Sequence, residues 1–132
     1  MWAEMRSQLW PDTSASEHAA DLRKSIKDGK FKAWIVSRNG APIGFAELYL
    51  RPFANGCQGK PVPFLEGIWV NPEHRRGGVG QVLVDAVSRW AQKRGYQEIG
   101  SDANILNTVS HQSHLGWGFL ETERVVYFRK EL

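Results

Sequence analysis

The stretch "VPFLEGIWVNPEHRRGGVGQVLVDAVSRWAQKRG", Val62 to Gly95, decides how this chain is built. Its opening, Val62 to Val70, is nearly all apolar, the pattern of a central strand covered on both faces. Asn71-Pro72 ends it, since proline cannot donate to a ladder. Two arginines and three glycines follow, at Arg75, Arg76, Gly77, Gly78 and Gly80. Behind them Val79, Val82, Leu83, Ala86, Val87, Trp90 and Ala91 recur at helical spacing as one continuous face. Lys93, Arg94 and Gly95 close that helix as the dipole and capping rules require.

Strand, glycine turn and helix N-terminus, in that order, make an anion site. The first-turn N–H groups lack intrahelical partners, and the macrodipole adds partial positive charge there. Glycine admits a close phosphate and accepts positive φ. Arg75 and Arg76 add fork-shaped donors. The motif reads as a diphosphate held by the main-chain N–H groups of Arg76, Gly77, Gly78, Val79 and Gly80. On the glycines alone, a tight strand-to-helix connection without a ligand is an equal alternative. A nucleoside-triphosphate loop needs Gly-Lys-Ser/Thr, whereas Gly80 is followed by Gln81 and Val82. A dinucleotide fingerprint needs Gly-x-Gly-x-x-Gly, which residues 77, 78 and 80 do not supply.

Working outward, Trp2 to Trp10 has a loose helical pattern that Pro11 must stop. "DTSASEHAADLRKSIKDG" predicts a second helix, capped by Ser14 or Ser16, with Ala19, Ala20, Leu22 and Ile26 inward and Gly29 past its end. "FKAWIVSR" and "IGFAELYLR" flank Asn39-Gly40, a hairpin signal. After the long helix, "QEIGSD" predicts a short strand, "NTVSHQSHLGWG" a helix ending near Gly118, and "FLETERVVYFRKEL" a last strand. The whole is expected to be one α/β (α+β) domain, residues 1–132, with a mixed central sheet flanked by helices.

Composition narrows the function classes. The chain has 132 residues, 42% apolar and 23% charged, with net charge +3. That mild excess permits an anionic ligand but is not the basic stripe of a nucleic-acid binder. No apolar run approaches a membrane span, and the N-terminus lacks a secretory pattern. Cys57 is the only cysteine, which rules out an intrachain disulfide and suits a reducing cytoplasm. No base neighbours it in sequence to make it a catalytic thiol. The four histidines show no metal-ligand spacing, so no metal is expected.

Arg75-x-x-Gly78-x-Gly80 resembles the coenzyme signature of the GNAT acetyltransferases. The resemblance implies that this turn cradles the pyrophosphate of acetyl-coenzyme A, the co-substrate. It also implies a strand that splays from its neighbour, so that main-chain groups of Ile68, Trp69 and Val70 meet the pantetheine arm. Asn107 and "HLGWGF" match the family's second signature, with His114 where tyrosine is usual. Both are thereby implied in coenzyme binding, and either His114 or a different residue takes the place of that tyrosine as general acid.

"RSQLWP", "NGC", "FLEGIWVNPEHRRGGVG", "SDAN" and "ETERVVYFRKEL" together look like the narrower aminoglycoside 6′-N-acetyltransferases, from about Arg6 to Leu132. That family opens with a strand which this sequence does not show ahead of its first helix. The resemblance implies acetylation of a drug amine by direct attack in a ternary complex, antibiotic resistance, a bacterial cytoplasmic setting and a homodimer. Another amine substrate (a polyamine, a peptide N-terminus or a lysine) and a non-catalytic coenzyme-binding module are the rival readings.

A polycationic acceptor needs local acid despite the net charge. Glu66 stands among apolar neighbours in "VPFLEGIWV", where an unpaired carboxylate is expensive. An arginine partner would explain it structurally; a base for the substrate ammonium would explain it functionally. By resemblance, Glu66 and Asp102 are the acidic pair that meets the amine, with a main-chain N–H near Ile68 polarising the acyl carbonyl. Trp10, Phe53 and Glu123 are implied as further substrate contacts. Tyr127, in the last strand, reads as packing.

Overall fold

The computed structural model describes all 132 residues, which form two compact units, Met1–Asp102 and Ala103–Leu132. The first contains α1 (Trp2–Leu9), α2 (Ala15–Ser25), β1 (Phe31–Arg38), β2 (Ala41–Arg51), β3 (Val62–Val70), a 3₁₀ turn (Pro72–His74), α3 (Val79–Lys93) and β4 (Gly100–Ser101). The sheet order is β1-β2-β3-β4, antiparallel except for the parallel β3–β4 pair.

Local chemistry explains most boundaries. Asn39 and Gly40 turn the β1–β2 hairpin with φ of 52° and 79°, the two positive values that a tight hairpin turn demands. Ser14 Oγ accepts from the Glu17 N–H at 3.2 Å and caps α2. That helix ends at Ser25, earlier than the glycine signal at Gly29 suggests, and Ile26 is 63% exposed rather than inward. Gly95, with φ 83°, closes α3 and lets the Tyr96 N–H reach Ala91 O at 3.1 Å.

The core lies where β2 crosses the sheet: Phe45, Ala46 and Leu48 are fully buried. Strand alternation sends neighbours to opposite faces. On one face α1 lays Trp10 against Phe45, their ring centroids 6.2 Å apart. On the other, Trp90 of α3 meets Trp34 edge-on at 6.1 Å. The face of α3 that packs inward carries Val79, Leu83, Val84, Val87 and Ala91, while Val82 faces solvent. Its neighbour Val84 takes the inner place, because the sheet covers a strip rotated from the one that spacing alone selects.

The second unit comprises α4 (Thr108–Gly116) and a C-terminal segment without regular secondary structure. Gly118, with φ 96°, follows the helix end as expected. The last strand does not form: residues 119–132 enter no ladder, and Tyr127 and Phe128 are 80% and 92% exposed. A strand exists only with a neighbour to bond, and the apolar pattern of this segment finds none in the ladders of its own chain. Tyr127 is therefore not a packing residue within this chain.

Gly44 tests the close approach of β2 to β3. A Cβ there would lie 2.8 Å from Trp69 O and 3.2 Å from a Val36 methyl. Gly44→Ala should lower unfolding free energy by roughly 1–3 kcal/mol in urea denaturation, and an unchanged midpoint would contradict the packing described.

Candidate active site

The site begins where β3 loses its second neighbour. Pairing with β4 covers only Phe64↔Gly100 and Leu65↔Ser101. Beyond Leu65 the β4 side of β3 has no ladder partner. The Asn71 N–H donates to Ile43 O at 2.7 Å. Antiparallel bonds alternate, so Trp69 and Gly67 also bond toward β2, while Ile68 and Val70 direct theirs to the open side. Arg75 Nε takes one of these groups, Val70 O, at 2.8 Å. The Ile68 N–H and C=O remain as an unpaired edge.

The register with β2 slips at the same place. Glu47 pairs with Gly67 and Leu48 with Leu65, leaving Glu66 as the extra residue of a bulge. Asp102 follows Ser101, the partner of Leu65, just as Glu66 follows Leu65. The expected acidic pair thus stands on neighbouring backbone positions where the strands part.

At the end of β3 the chain makes its glycine turn. Arg76 and Gly78 have φ of 64° and 83°, and Gly78 is the N-cap of α3. None of the N–H groups from Arg76 to Gly80 donates a hydrogen bond within the protein; the first to do so is Val82, to Gly78 O. Five main-chain donors at a helix N-terminus fit a diphosphate. Positive φ, not lack of space, requires glycine at position 78, since a Cβ there would meet nothing within 4 Å.

On the α1 side of the sheet lies a cleft of about 920 Å³. Trp10 forms one wall and rests on Gly67, so closely that a Cβ on Gly67 would come within 2.5 Å of the indole. The Arg6 guanidinium lies 5.0 Å from the Trp10 ring centroid, and His18 Nε2 contacts Trp10 O at 3.1 Å. Glu66 lines the cleft, and it has an arginine partner. Arg51 Nε and Nη2 donate to its two oxygens at 2.7 and 2.6 Å, and that guanidinium sits 3.6 Å over the Phe64 ring. Phe53 is exposed and outside the cleft lining.

Sequence reasoning missed Glu47. It lines the same cleft at 2% exposure, with Oε2 3.4 Å from both Trp2 Nε1 and Arg6 Nε. Burial pushes its carboxyl above the ordinary range, and the nearby Arg6 charge opposes that rise. The available signal was the one that marked Glu66: a lone acid in an apolar strand, here "IGFAELYL". Asp12 and Asp21 add two more carboxylates to the lining.

Three expected residues belong to the second unit. Asn107 caps α4, its Oδ1 accepting from the Ser110 N–H at 3.1 Å. His114 Nδ1 lies 2.8 Å from Ser110 O, and its ring packs at 5.4 Å from Trp117 and 5.2 Å from Phe119. Glu123 is exposed on the C-terminal segment, next to the Glu121–Arg124 ion pair.

The profile of the acetyltransferase (GNAT) family matches residues 2–119. The chain belongs to the GNAT family. Among its GNAT relatives, the aminoglycoside N(6′)-acetyltransferase type 1 of Salmonella typhimurium is 41% identical over 130 residues, spanning 98% of this chain and 90% of the relative. The Klebsiella aerogenes protein of the same name is 42% identical over 135 residues, spanning 99% and 89%. A solved structure of AAC(6′)-Iy with the bisubstrate analogue CoA-S-monomethyl-acetylneamine superimposes with TM-score 0.92 at 40% identity, spanning 99% of this chain and 90% of that one. The same GNAT protein with coenzyme A gives TM-score 0.93 at 40% identity over 99% and 87%. The mixed sheet with its parting strands is therefore the GNAT fold.

Gly67→Ala should displace the Trp10 indole from the floor of the cleft. The expected result is a changed near-ultraviolet circular dichroism spectrum and a stability loss of about 1–3 kcal/mol. An unaltered spectrum would show that Trp10 does not rest there.

Proposed function

We propose that this protein is an acetyl-coenzyme A-dependent aminoglycoside 6′-N-acetyltransferase. The observation that carries the reading is the acid-lined cleft abutting the open edge of β3, at Glu66 to Ile68. A polycationic amine suits the first and an extended thioester arm the second. The co-substrate supplies an activated acetyl group. The residues that hold it are Arg76 to Gly80 at the diphosphate, Arg75 at the strand end, and the main-chain groups of Ile68, Trp69 and Val70 along the arm. Asn107 and His114 are assigned to the same ligand on the family pattern.

Glu66 and Asp102 orient the substrate ammonium. Arg51 fixes the Glu66 carboxylate in direction by its two-pronged contact, so Glu66 meets the amine as a rigid acceptor rather than a swinging one. The Ile68 N–H, on the open side, is assigned to stabilise charge developing on the acyl oxygen. Trp10, in the cleft wall, is a further contact for the sugar rings; Phe53 and Glu123 are assigned to that role on the family pattern alone. Attack is direct, in a ternary complex, and the product has lost the positive charge with which such a drug grips ribosomal RNA, giving resistance.

The protein works in the bacterial cytoplasm, as a single domain, and as a homodimer. No helix is long and apolar enough to cross a membrane. The dimer reading is supported by the apolar, unpaired segment 119–132, which would gain ladder bonds by joining a second copy. Sedimentation equilibrium should return twice the 15.0 kDa chain mass. A monomer at micromolar concentration would remove the dimer from the proposal.

Thiol release from acetyl-coenzyme A should be fast with kanamycin and weak with spermidine or lysine peptides. The reverse order would replace the aminoglycoside with another amine. Glu66→Gln and Asp102→Asn should each lower kcat/KM for kanamycin about 10- to 100-fold, the worth of one charge-assisted hydrogen bond of roughly 1.5–3 kcal/mol. Unchanged rates in both would remove the acidic pair from the mechanism.

A further inference from the structure

We propose that Glu47, through its Oε1, is the carboxylate that accepts the proton of the substrate ammonium, an inference that rests on the acetyltransferase reading above. Its position comes from register. Glu47 is directly opposite Gly67, so both face the cleft side of the sheet where Trp10 lies. Gly67 is followed by Ile68, whose N–H faces the open edge. Glu47 therefore sits beside the acyl end of the proposed coenzyme track.

Availability separates it from Glu66. Both oxygens of Glu66 already accept from Arg51 at 2.6 and 2.7 Å. Glu47 makes its contacts to Trp2 and Arg6 through Oε2, and its Oε1 accepts no hydrogen bond. Around it the polar capacity is unspent: Arg6 Nε and Nη1 and His18 Nδ1 are buried without a hydrogen-bond partner. Buried polar atoms are rarely left so, and an incoming polar group would complete the cluster.

The charged groups facing Glu47 are Arg6 from α1, His18 from α2 and Glu66 from β3. Burial raises its proton affinity most; Arg6, the Trp2 N–H and His18 lower it, and Glu66 raises it. A carboxyl held above the ordinary range by these opposing effects is a stronger base than a solvated one. The step balances. One proton passes from R–NH₃⁺ to Oε1 and leaves R–NH₂ with a free lone pair. Nitrogen then bonds the thioester carbon as the carbon–sulfur bond breaks. The departing thiolate takes the second amine proton, and Glu47 returns the first to water.

The test is the pH profile of kcat/KM for kanamycin with the full chain, alongside titration of acetyl-coenzyme A. Wild type should lose rate as pH falls through the raised Glu47 value, because the protonated carboxyl cannot accept. Glu47→Gln should cost about 100-fold and abolish this acid limb, with coenzyme affinity retained as proof of folding. Glu47→Asp should keep the limb at an intermediate rate. Arg6→Gln should move the limb to higher pH, since the charge that favours the ionised form is gone. A loss below about threefold in Glu47→Gln, or a large loss with the limb intact, overturns the proposal. So does a wild type without an acid limb, or an unmoved limb in Arg6→Gln should Glu47→Gln fail to fold. A wild type that binds the coenzyme but ignores kanamycin overturns the aminoglycoside reading itself, and this inference with it.

Discussion

The parting of β3 from β4 after Leu65 and Ser101 is the constraint on which the site depends. A strand inside a sheet normally has both edges bonded, and each buried amide left unpaired costs about 1–3 kcal/mol. Here the half of β3 that loses its neighbour, Glu66 to Val70, is only half-buried, and the bulge at Glu66 lies where the pairing ends. Three consequences follow from that local failure of pairing. The Ile68 amide is left without a ladder partner. Glu66 and Asp102 are carried to the fork. The bulge lets Glu47 and Gly67 share the floor of the cleft, with Trp10 packed on the one residue that has no side chain.

The second fixed point is the turn after β3. Arg75 ties its side chain back to Val70 O, so the open edge and the helix N-terminus are joined by a short, pinned link. A ligand that bonds both must be long, extended and doubly charged at the far end. The spacing is set by five residues of backbone rather than by side chains, which explains why the signature is written in glycines. Gly78 is needed for its left-handed backbone, and Gly67 for the space above it.

How much of this was legible follows from what periodicity encodes. An apolar run, Asn39-Gly40 and the glycine turn each specify a local conformation, and the hairpin, β3 and α3 form where the sequence places them. Spacing does not say which neighbour covers a face. Val82 and Ile26 fit their helical patterns and are exposed, because no element packs over them. "QEIGSD" reads as a short strand, and of it only Gly100 and Ser101 pair. The last strand is similar: "RVVYFRK" has the composition of a strand, but pairing is a property of two segments. At the site, Glu66 was visible as an acid in an apolar run. Its partner Arg51 and the equivalent acid Glu47 were not distinguished, because cross-strand register lies outside any one segment.

Charge is distributed so that a protein of net +3 presents an acidic cleft. The cleft lining carries four carboxylates, Asp12, Asp21, Glu47 and Glu66, against two guanidinium groups, Arg6 and Arg51. Each guanidinium is engaged with an inner acid, leaving Asp12 and Asp21 at the rim without ion pairs. The field at the mouth is therefore negative, and low-dielectric walls of tryptophan and phenylalanine strengthen it inward. The inner pair is the less economical arrangement for stability. Taking Glu47 and Arg6 out of water costs on the order of several kcal/mol per ion, and a contact of 3.4 Å without a hydrogen bond from Arg6 Nε recovers little of it. Two apolar residues would pack there at lower cost. A chain whose remaining core is conventional keeps this poorly satisfied charge pair in the lining of an acid-rich cleft. Instability confined to that place is what a site completed by its substrate would show.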